Sequence, residues 1–399
     1  MVIKFLKKIL RILYSIIQIF IISILFFLSG FRSKEKKLWG FGSLGGKEFR
    51  GNSKYLYKYI EKKHKDIEIY WIAKSIKENM KLKKQGINSI YAYDFKNIKK
   101  ISSTSLFFCT HGFIDLNLGL TRKAKIIMLG HMTFTIKNNV RKILLNKKNF
   151  FNRIYEFMKF SYFNLRKIEF GIFSSKLSKE NLITEDNWYP QKKLILGLPK
   201  TDYLNYLKYK KKSREYFKNE IPENEKIILF LPTRRNDKKF NIFNYGFSKR
   251  NFEEFTEEKK CNFFISYHPT NVNSQIINFD SNRLKMINLD GNVIDDALSE
   301  ADLLITDYGS IFADFLIFNK PIIFVKFDHD KYIKDVGLKI DYDSLPGPKV
   351  DTWNDIYKNI SQQLYLKDNF SEKRNEWRNK MYEFYDGKNC ERIVNYFKE

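Results

Sequence analysis

Cysteine is scarce in this chain, with Cys109, Cys261 and Cys390 the three among 399 residues. They lie far apart with no paired spacing, which excludes a disulfide framework and a cysteine-based zinc site and indicates a reducing compartment. Also missing are an Asp-rich metal signature, an internal repeat of solenoid period, and any helix-turn-helix, zinc-finger or RNA-binding signature. Acidic residues are outnumbered, 45 Asp and Glu against 72 Lys and Arg, for a formal net charge of +27. Such a surface attracts anionic lipid, nucleic acid and polyphosphate polymers. The chain is also crowded with Lys, Asn, Ile and Phe, a bias that base composition alone can produce, so part of the excess says nothing about partners. With no recognition signature, no nucleic-acid partner is expected. A basic, non-enzymatic binding protein would leave the motifs described next unexplained.

The amino terminus carries a membrane signal. Lys4, Lys7, Lys8, Arg11, Ser15 and Gln18 recur at three- and four-residue steps and so share one face of a helix, with Phe5, Leu6, Ile9, Leu10, Ile12 and Leu13 around the rest. The uncharged span from Ile12 to Leu28 is about 17 residues, at the lower edge of what crosses a hydrocarbon core. Arg32, Lys34, Lys36 and Lys37 follow it. An interfacial or re-entrant helix over residues 1–33, resting on anionic lipid, is the expectation. A secretory leader is the rival, but no small-x-small cleavage site stands near Ser29-Gly30.

Beyond it the chain alternates strand and helix patterns. Ile67–Ala73 and Ser89–Ala92 read as strands and Asn52–Lys63 as a helix, within a Rossmann-like unit over 34–210. A basic, aromatic-rich stretch from Asn138 to Lys167 interrupts that unit and reads as an amphipathic helix pair. The charged run Lys208 to Arg214 and the turn at Pro222 mark the boundary, and a second Rossmann-like unit fills 211–399. The fold class is therefore α/β, with two such domains facing a cleft. Trp353, Trp377 and Tyr382 in the tail read as helix packing.

Polar motifs stand directly after apolar, β-rich runs. Gly40–Ser43 follows Leu38-Trp39, Thr110-His111-Gly112 follows Ser105–Cys109, and Gly130-His131 follows Lys125–Leu129. Pro232-Thr233-Arg234 follows Ile227–Leu231, His268-Pro269 follows Asn262–Tyr267, and Thr306–Ser310 follows Leu303–Ile305. In a doubly wound sheet these positions form the ligand-binding rim at the carboxyl ends of the strands. Ser310 is placed to cap the helix after it, and with the Thr306 hydroxyl would make an anion site. Gly40-Phe41-Gly42-Ser43-Leu44-Gly45 also satisfies the dinucleotide glycine pattern. That pattern wants an acid at the end of the next strand, where Ala73 is followed by Lys74, so the glycines are read as a tight loop open to substrate.

These segments, together with Lys320–Phe324 and Leu345-Pro346-Gly347-Pro348, resemble the CDP-glycerol glycerophosphotransferase family, the polymerases and primases of teichoic acid and related capsule polymers. Gly130-His131-Met132-Thr133, followed by Lys137, is similar to the family's Trp-His-Gly-Thr segment, and Gly197–Asp202 to its Gly-Tyr-Pro-Arg-Asn-Asp. The likeness covers roughly residues 36–397. Gly130 and Met132 depart from it beside His131, and Gly309 stands where the family usually has serine. The resemblance implies a GT-B arrangement and transfer of glycerol phosphate or ribitol phosphate from a CDP-alcohol to a hydroxyl of a membrane-linked glycopolymer, with release of CMP. It also implies the cytoplasmic face of a bacterial cell membrane.

Such chemistry needs a base for the acceptor hydroxyl and cations or amides for the diphosphate. His131 is the candidate base and His268 a second catalytic group. Arg234, Thr233, Thr306, Asp307 and Ser310 are the candidate donor-side residues. His111, Gly42, Ser43 and Lys137 are candidates on the acceptor side, while His64 and His329 are weaker. No cofactor is indicated beyond the CDP-alcohol itself, although Mg²⁺ accompanies many diphosphates and needs only one or two carboxylates. A GT-B glycosyltransferase using a nucleotide sugar is the alternative.

Overall fold

The structure, a computed structural model, describes residues 17, 20–138, 166–182, 190–210, 216–217, 221–233, 235, 240–267, 281–289, 291 and 293–399. Strands Glu35–Phe41 (β1), Glu68–Ala73 (β2), Ser89–Tyr91 (β3), Thr104–Cys109 (β4), Lys125–Met128 (β5), Phe170–Phe173 (β6) and Lys192–Ile195 (β7) form one sheet. Its order is β3-β2-β1-β4-β5-β6-β7, with every pair parallel. A second parallel sheet holds Lys226–Leu231 (β8), Cys261–Ile265 (β9), Leu284–Met286 (β10), Leu303–Thr306 (β11), Ile322–Val325 (β12) and Lys349–Val350 (β13). Its order is β10-β9-β8-β11-β12-β13.

Strands such as Ile227–Leu231 and Leu303–Thr306 are buried along their whole length. That is the pattern of parallel strands covered on both faces, rather than the alternation of a half-solvated sheet. Each sheet accordingly carries two cores. Trp39, Trp71, Leu56 and Ile60 fill one side of the first, and Leu38, Tyr70, Ile72 and Phe107 the other. Leu229, Leu304 and Phe324 lie on one side of the second, and Phe230, Ile305 and Trp353 on the other. Strand order reverses between β1 and β4 and again between β8 and β11, and a doubly wound sheet opens a crevice at that reversal.

Three segments tie the halves together. Phe134 and Ile136, which follow β5, pack into the second sheet's core. Lys137 then bridges antiparallel to Leu338, and the Lys339 amide donates to the Ile136 carbonyl at 2.8 Å. Helix Pro199–Tyr209 adds Leu204 and Leu207 to that same core. Helix Asn389–Lys398 runs the other way, placing Cys390, Ile393 and Val394 among Trp39, Phe41 and Leu56 of the first sheet. Asp202 fixes its start by accepting the Asn389 and Cys390 amides at 2.9 and 2.7 Å. Gly197 has φ +78, and a Cβ there would sit 2.0 Å from Asn389 Oδ1, so this junction admits glycine alone.

Residues 20–29 are helical (α1) and lie against the first sheet's loops. Leu25 approaches Gly119, where a Cβ would be 3.0 Å from Leu25 Cβ, and Arg122 Nη1 donates to the Phe27 carbonyl at 3.1 Å. Phe20, Ile21, Ile24, Phe27, Leu28 and Phe31 remain exposed. Among the described residues no helix is long and apolar enough to cross a membrane. Most of the expected stretch Asn138–Lys167, residues 139–165, lies outside the described residues.

Candidate active site

Segments that follow β5, β8, β9 and β11 meet between the two sheets. There a cavity of about 470 Å³ is lined by His131, Met132, Thr135 and Lys137 from the first half and by Thr233, Ser266, Tyr267, Gly309 and Ser310 from the second. That volume suits a small-molecule ligand, for which ~300–1,000 Å³ is usual.

On the first half, His131 and His111 stack with ring centroids 4.4 Å apart and planes at 12°. Thr110 Oγ1 lies 2.7 Å from His111 Nδ1 and 3.0 Å from Ser43 Oγ. Beneath them Asp115, fully buried, accepts the amides of Thr110, His111 and Gly45 at 2.8, 2.7 and 2.7 Å. Burial raises its carboxyl above the usual carboxylate range against the pull of those amides. Gly42 fits because a Cβ there would lie 2.6 Å from the Asp115 carbonyl oxygen. The glycine loop expected to be open to substrate is thus closed: Ser43 is buried, and Gly42 and Ser43 support His111 from behind.

Burial and then its stacked neighbour, His111, push His131 down to about 4, while burial and then Arg50 push His111 down to about 4. His131 is exposed on the cleft, with the His111 ring stacked against it. Its depression therefore has full strength only where bulk water has left the cleft. Both imidazoles are neutral at pH 7, so His131 has a lone pair to offer.

On the second half, Thr233 and Ser310 face the cavity. Among the described residues, the Thr233 Oγ1 and Tyr267 hydroxyls are buried with no hydrogen-bond partner. Buried hydroxyls left unpaired are costly, so they mark where a ligand's acceptors would go. Thr306 and Asp307 are turned inward instead. The Thr306 hydroxyl donates to the Leu231 carbonyl at 2.9 Å. Asp307 accepts the Thr233 and Tyr308 amides at 2.8 and 2.6 Å and Arg235 Nη2 at 2.8 Å. Arg235 also binds Asp328 and lies over Phe240 and Tyr332, so it shapes the rim rather than facing the cavity. Ser310 does not cap: its side chain makes no cap bond, and the helix after it, Ile311–Phe315, has five residues. The reason is local, since Ser310 itself has helical φ and ψ. Lys137 lies on the first-half side of the cavity, its ammonium lowered by burial. His329 sits behind the site with Nδ1 3.0 Å from the Tyr308 hydroxyl. Arg234 and His268 lie outside the described residues.

Lys200, in the Gly-x-Pro segment, joins the halves by pairing with Asp295 at 2.8 Å and Asp314 at 2.7 Å. Burial pulls its ammonium down, but the two carboxylates outweigh that and raise it. Asp115, Tyr267 and Arg50 were not singled out from sequence. For Asp115 the signal was a lone acid in the apolar stretch Gly112–Leu120. Among the described residues no three His, Cys, Asp or Glu side chains converge to hold a metal ion. With its oxygens on two amides and Arg235, Asp307 is not placed to hold Mg²⁺, and no step below passes through a metal.

Two doubly wound parallel sheets that share a cavity, with an imidazole on one wall and buried hydroxyls on the other, define an α/β protein with a cleft between its two sheets. The chain belongs to the CDP-Glycerol:Poly(glycerophosphate) glycerophosphotransferase family, which matches residues 24–399. The teichoic acid glycerol-phosphate transferase of Staphylococcus aureus is 23% identical over 373 residues, covering 90% of this chain and 92% of that protein. A teichoic acid poly(ribitol-phosphate) polymerase of Bacillus spizizenii is 30% identical over 207 residues, half of this chain. The chain spans about a third of the length of such ribitol-phosphate polymerases, 35% and 32% for two of them. Among solved structures, the wall teichoic acid polymerase TagF superposes with a TM-score of 0.74 at 20% identity, covering 98% of this chain and 97% of that one. At that identity the likeness establishes the fold.

Proposed function

We propose that this protein transfers glycerol phosphate or ribitol phosphate from a CDP-alcohol to a hydroxyl of a membrane-linked glycopolymer, teichoic acid or capsule-like, with release of CMP. The observation that carries the reading is the convergence of His131 and Lys137 with Thr233, Tyr267 and Ser310 around one cavity. Residues 34–210 form the acceptor side and 211–399 the donor side. The acceptor oxygen attacks the phosphorus that bears the alcohol, and its proton passes to a nitrogen of neutral His131. The bond from that phosphorus to the CMP oxygen breaks, and CMP leaves with the electron pair. Thr233, Ser310 and Tyr267 donate to the diphosphate and Lys137 supplies charge, with Arg234 and His268 as further donor-side groups. Asp307 and Thr306 hold that rim in shape, and Asp115 holds His111 under His131.

Purified protein incubated with CDP-glycerol, CDP-ribitol and a panel of nucleotide sugars tests this. CMP release from a CDP-alcohol is the expected result. Release of a nucleoside diphosphate from a nucleotide sugar alone would overturn it in favour of a glycosyltransferase.

The depressed imidazoles give the pH dependence a sign. Because His131 stays neutral below the ordinary histidine value of about 6.5, the acid limb of kcat/KM should fall below that pH. Stability runs the other way: as pH drops from about 6.5 towards 4, the unfolded chain takes up protons that the folded histidines refuse, so stability declines across that window and then levels. A pH–rate profile with its acid midpoint at or above the ordinary value contradicts the assignment of His131 as a base held neutral by its surroundings.

The exposed apolar face of α1, beside Arg32, Lys34 and Arg122, supports peripheral seating on the cytoplasmic face of the membrane. Removing residues 1–31 should release the protein from anionic liposomes in part, and high salt should complete the release. Sedimentation of the truncated protein with liposomes at high salt would show a second apolar anchor instead.

A further inference from the structure

Helix Gly51–Lys63 (α2) starts against both histidines. Asn52 Nδ2 donates to the carbonyls of Leu129 and Gly130 at 3.2 and 2.9 Å, the residues leading into His131. A Cβ on Gly51 would lie 3.9 Å from Thr110 Cγ2, the residue before His111. Arg50 immediately precedes this helix start. Its guanidinium lies over Gly291 on the rim of the second sheet, where a Cβ would be 2.5 Å from Nη1. It therefore spans from the histidine wall to the opposite half. One N–H group is engaged, by Glu48 at 3.0 Å, and the side chain stays 33% exposed. Arg50 does not line the 470 Å³ cavity assigned to the donor.

We propose that Arg50 recognises a phosphodiester of the acceptor, so that the enzyme prefers a hydroxyl one unit removed from a phosphate over the hydroxyl of a neutral chain. This rests on the transfer reading above. In a glycerol phosphate chain the terminal hydroxyl and the preceding phosphate are separated by the three carbons of one unit. A base that takes the hydroxyl proton and a cation that holds that phosphate must then be neighbours. His131 and Arg50 are such neighbours, joined through Asn52 and Gly130. A guanidinium can engage two phosphate oxygens at once, and the α2 amino terminus adds the positive end of a 13-residue helix. The electrostatic link between Arg50 and both imidazoles agrees with this placement. Glu48, paired with Arg50 in the free protein, is the anion that the phosphate would displace.

The test uses the full chain with CDP-glycerol and two soluble acceptors of equal length, one ending in a glycerol phosphate unit and one carrying the same terminal hydroxyl on a neutral ether-linked chain. Binding of a labelled short glycerol phosphate oligomer, without donor, is read in parallel by fluorescence anisotropy. Arg50→Ala should raise KM for the phosphate-bearing acceptor roughly ten- to hundredfold, the loss expected for a charged hydrogen-bonded partner. It should do so with a much smaller change in kcat, and it should abolish the parent's preference over the neutral acceptor. Arg50→Lys should recover part of the loss, and anisotropy should weaken in the same order. Equal losses on both acceptors, or unchanged KM and oligomer binding, would overturn the proposal. If the parent releases no CMP from any CDP-alcohol, the transfer reading has failed. The anisotropy arm then still decides on Arg50, because a parent that binds the oligomer no better than Arg50→Ala refutes the phosphodiester site.

Discussion

His131→Ala should abolish transfer while leaving CDP-alcohol binding largely intact, with kcat falling by about 10²–10⁴-fold, the usual contribution of a positioned base. Among the described residues, the ring is the titratable group on the first half's wall of the cavity that is neutral at pH 7 and within the ligand space. Lys137, also on that wall, keeps its charge role. Calorimetric titration with CDP-glycerol and CDP-ribitol should give the variant an affinity close to the parent's, since the donor's diphosphate contacts lie on Thr233, Tyr267 and Ser310. Near-normal turnover in His131→Ala would make the residue structural and move the search for a base to His111, stacked against it.

Asp115→Ala should have the largest effect on stability of any change near the site. It strands the amides of Thr110, His111 and Gly45, each costing ~1–3 kcal/mol when left unpaired. At about 2–4 °C per kcal/mol for a domain of this size, thermal unfolding should show the fall plainly. Asp115→Asn, which keeps one carbonyl oxygen for these donors, should recover part of it. Activity should drop further than stability alone explains, because the Thr110–His111 turn under His131 loses its anchor. A Tm for Asp115→Ala within about a degree of the parent's would mean that the turn holds itself.

The fold was legible because parallel strands buried on both faces leave uninterrupted apolar runs, and Ile227–Leu231 or Leu303–Ile305 cannot be mistaken for half-solvated strands. The rim was legible for the same reason: whatever polar residue follows such a run stands at the sheet's carboxyl edge, which is how His111, His131 and Thr233 were found. Direction of the side chain was not legible. Thr306 and Asp307 occupy the rim by position, yet the Leu231 carbonyl claims the Thr306 hydroxyl and a buried amide and Arg235 claim Asp307, a demand set by contacts across 70 or more residues of sequence. Ser310 has the identity of a cap but the backbone of a helix residue. Asp115 and Arg50 escaped because neither follows a strand directly. Their importance comes from a loop folding back onto Gly42 and from a helix beginning beside two histidines.

Helix Asn389–Lys398 has a consequence for how the protein is made. It supplies part of a core whose other members, Trp39, Phe41, Leu56 and Trp71, are translated more than 300 residues earlier. Domains emerging from a ribosome ordinarily close in order, amino-terminal first. Here part of one apolar face of the first sheet, beside the patch covered by Leu56 and Ile60, stays open while the whole second sheet is synthesised. Its core is sealed only when Cys390, Ile393 and Val394 arrive and Asp202 takes their helix's leading amides. Assembly of the half that carries His131 is thereby conditional on completion of the half that carries Ser310, so a chain interrupted in the second half would leave the first unsealed rather than as a finished, free-standing domain.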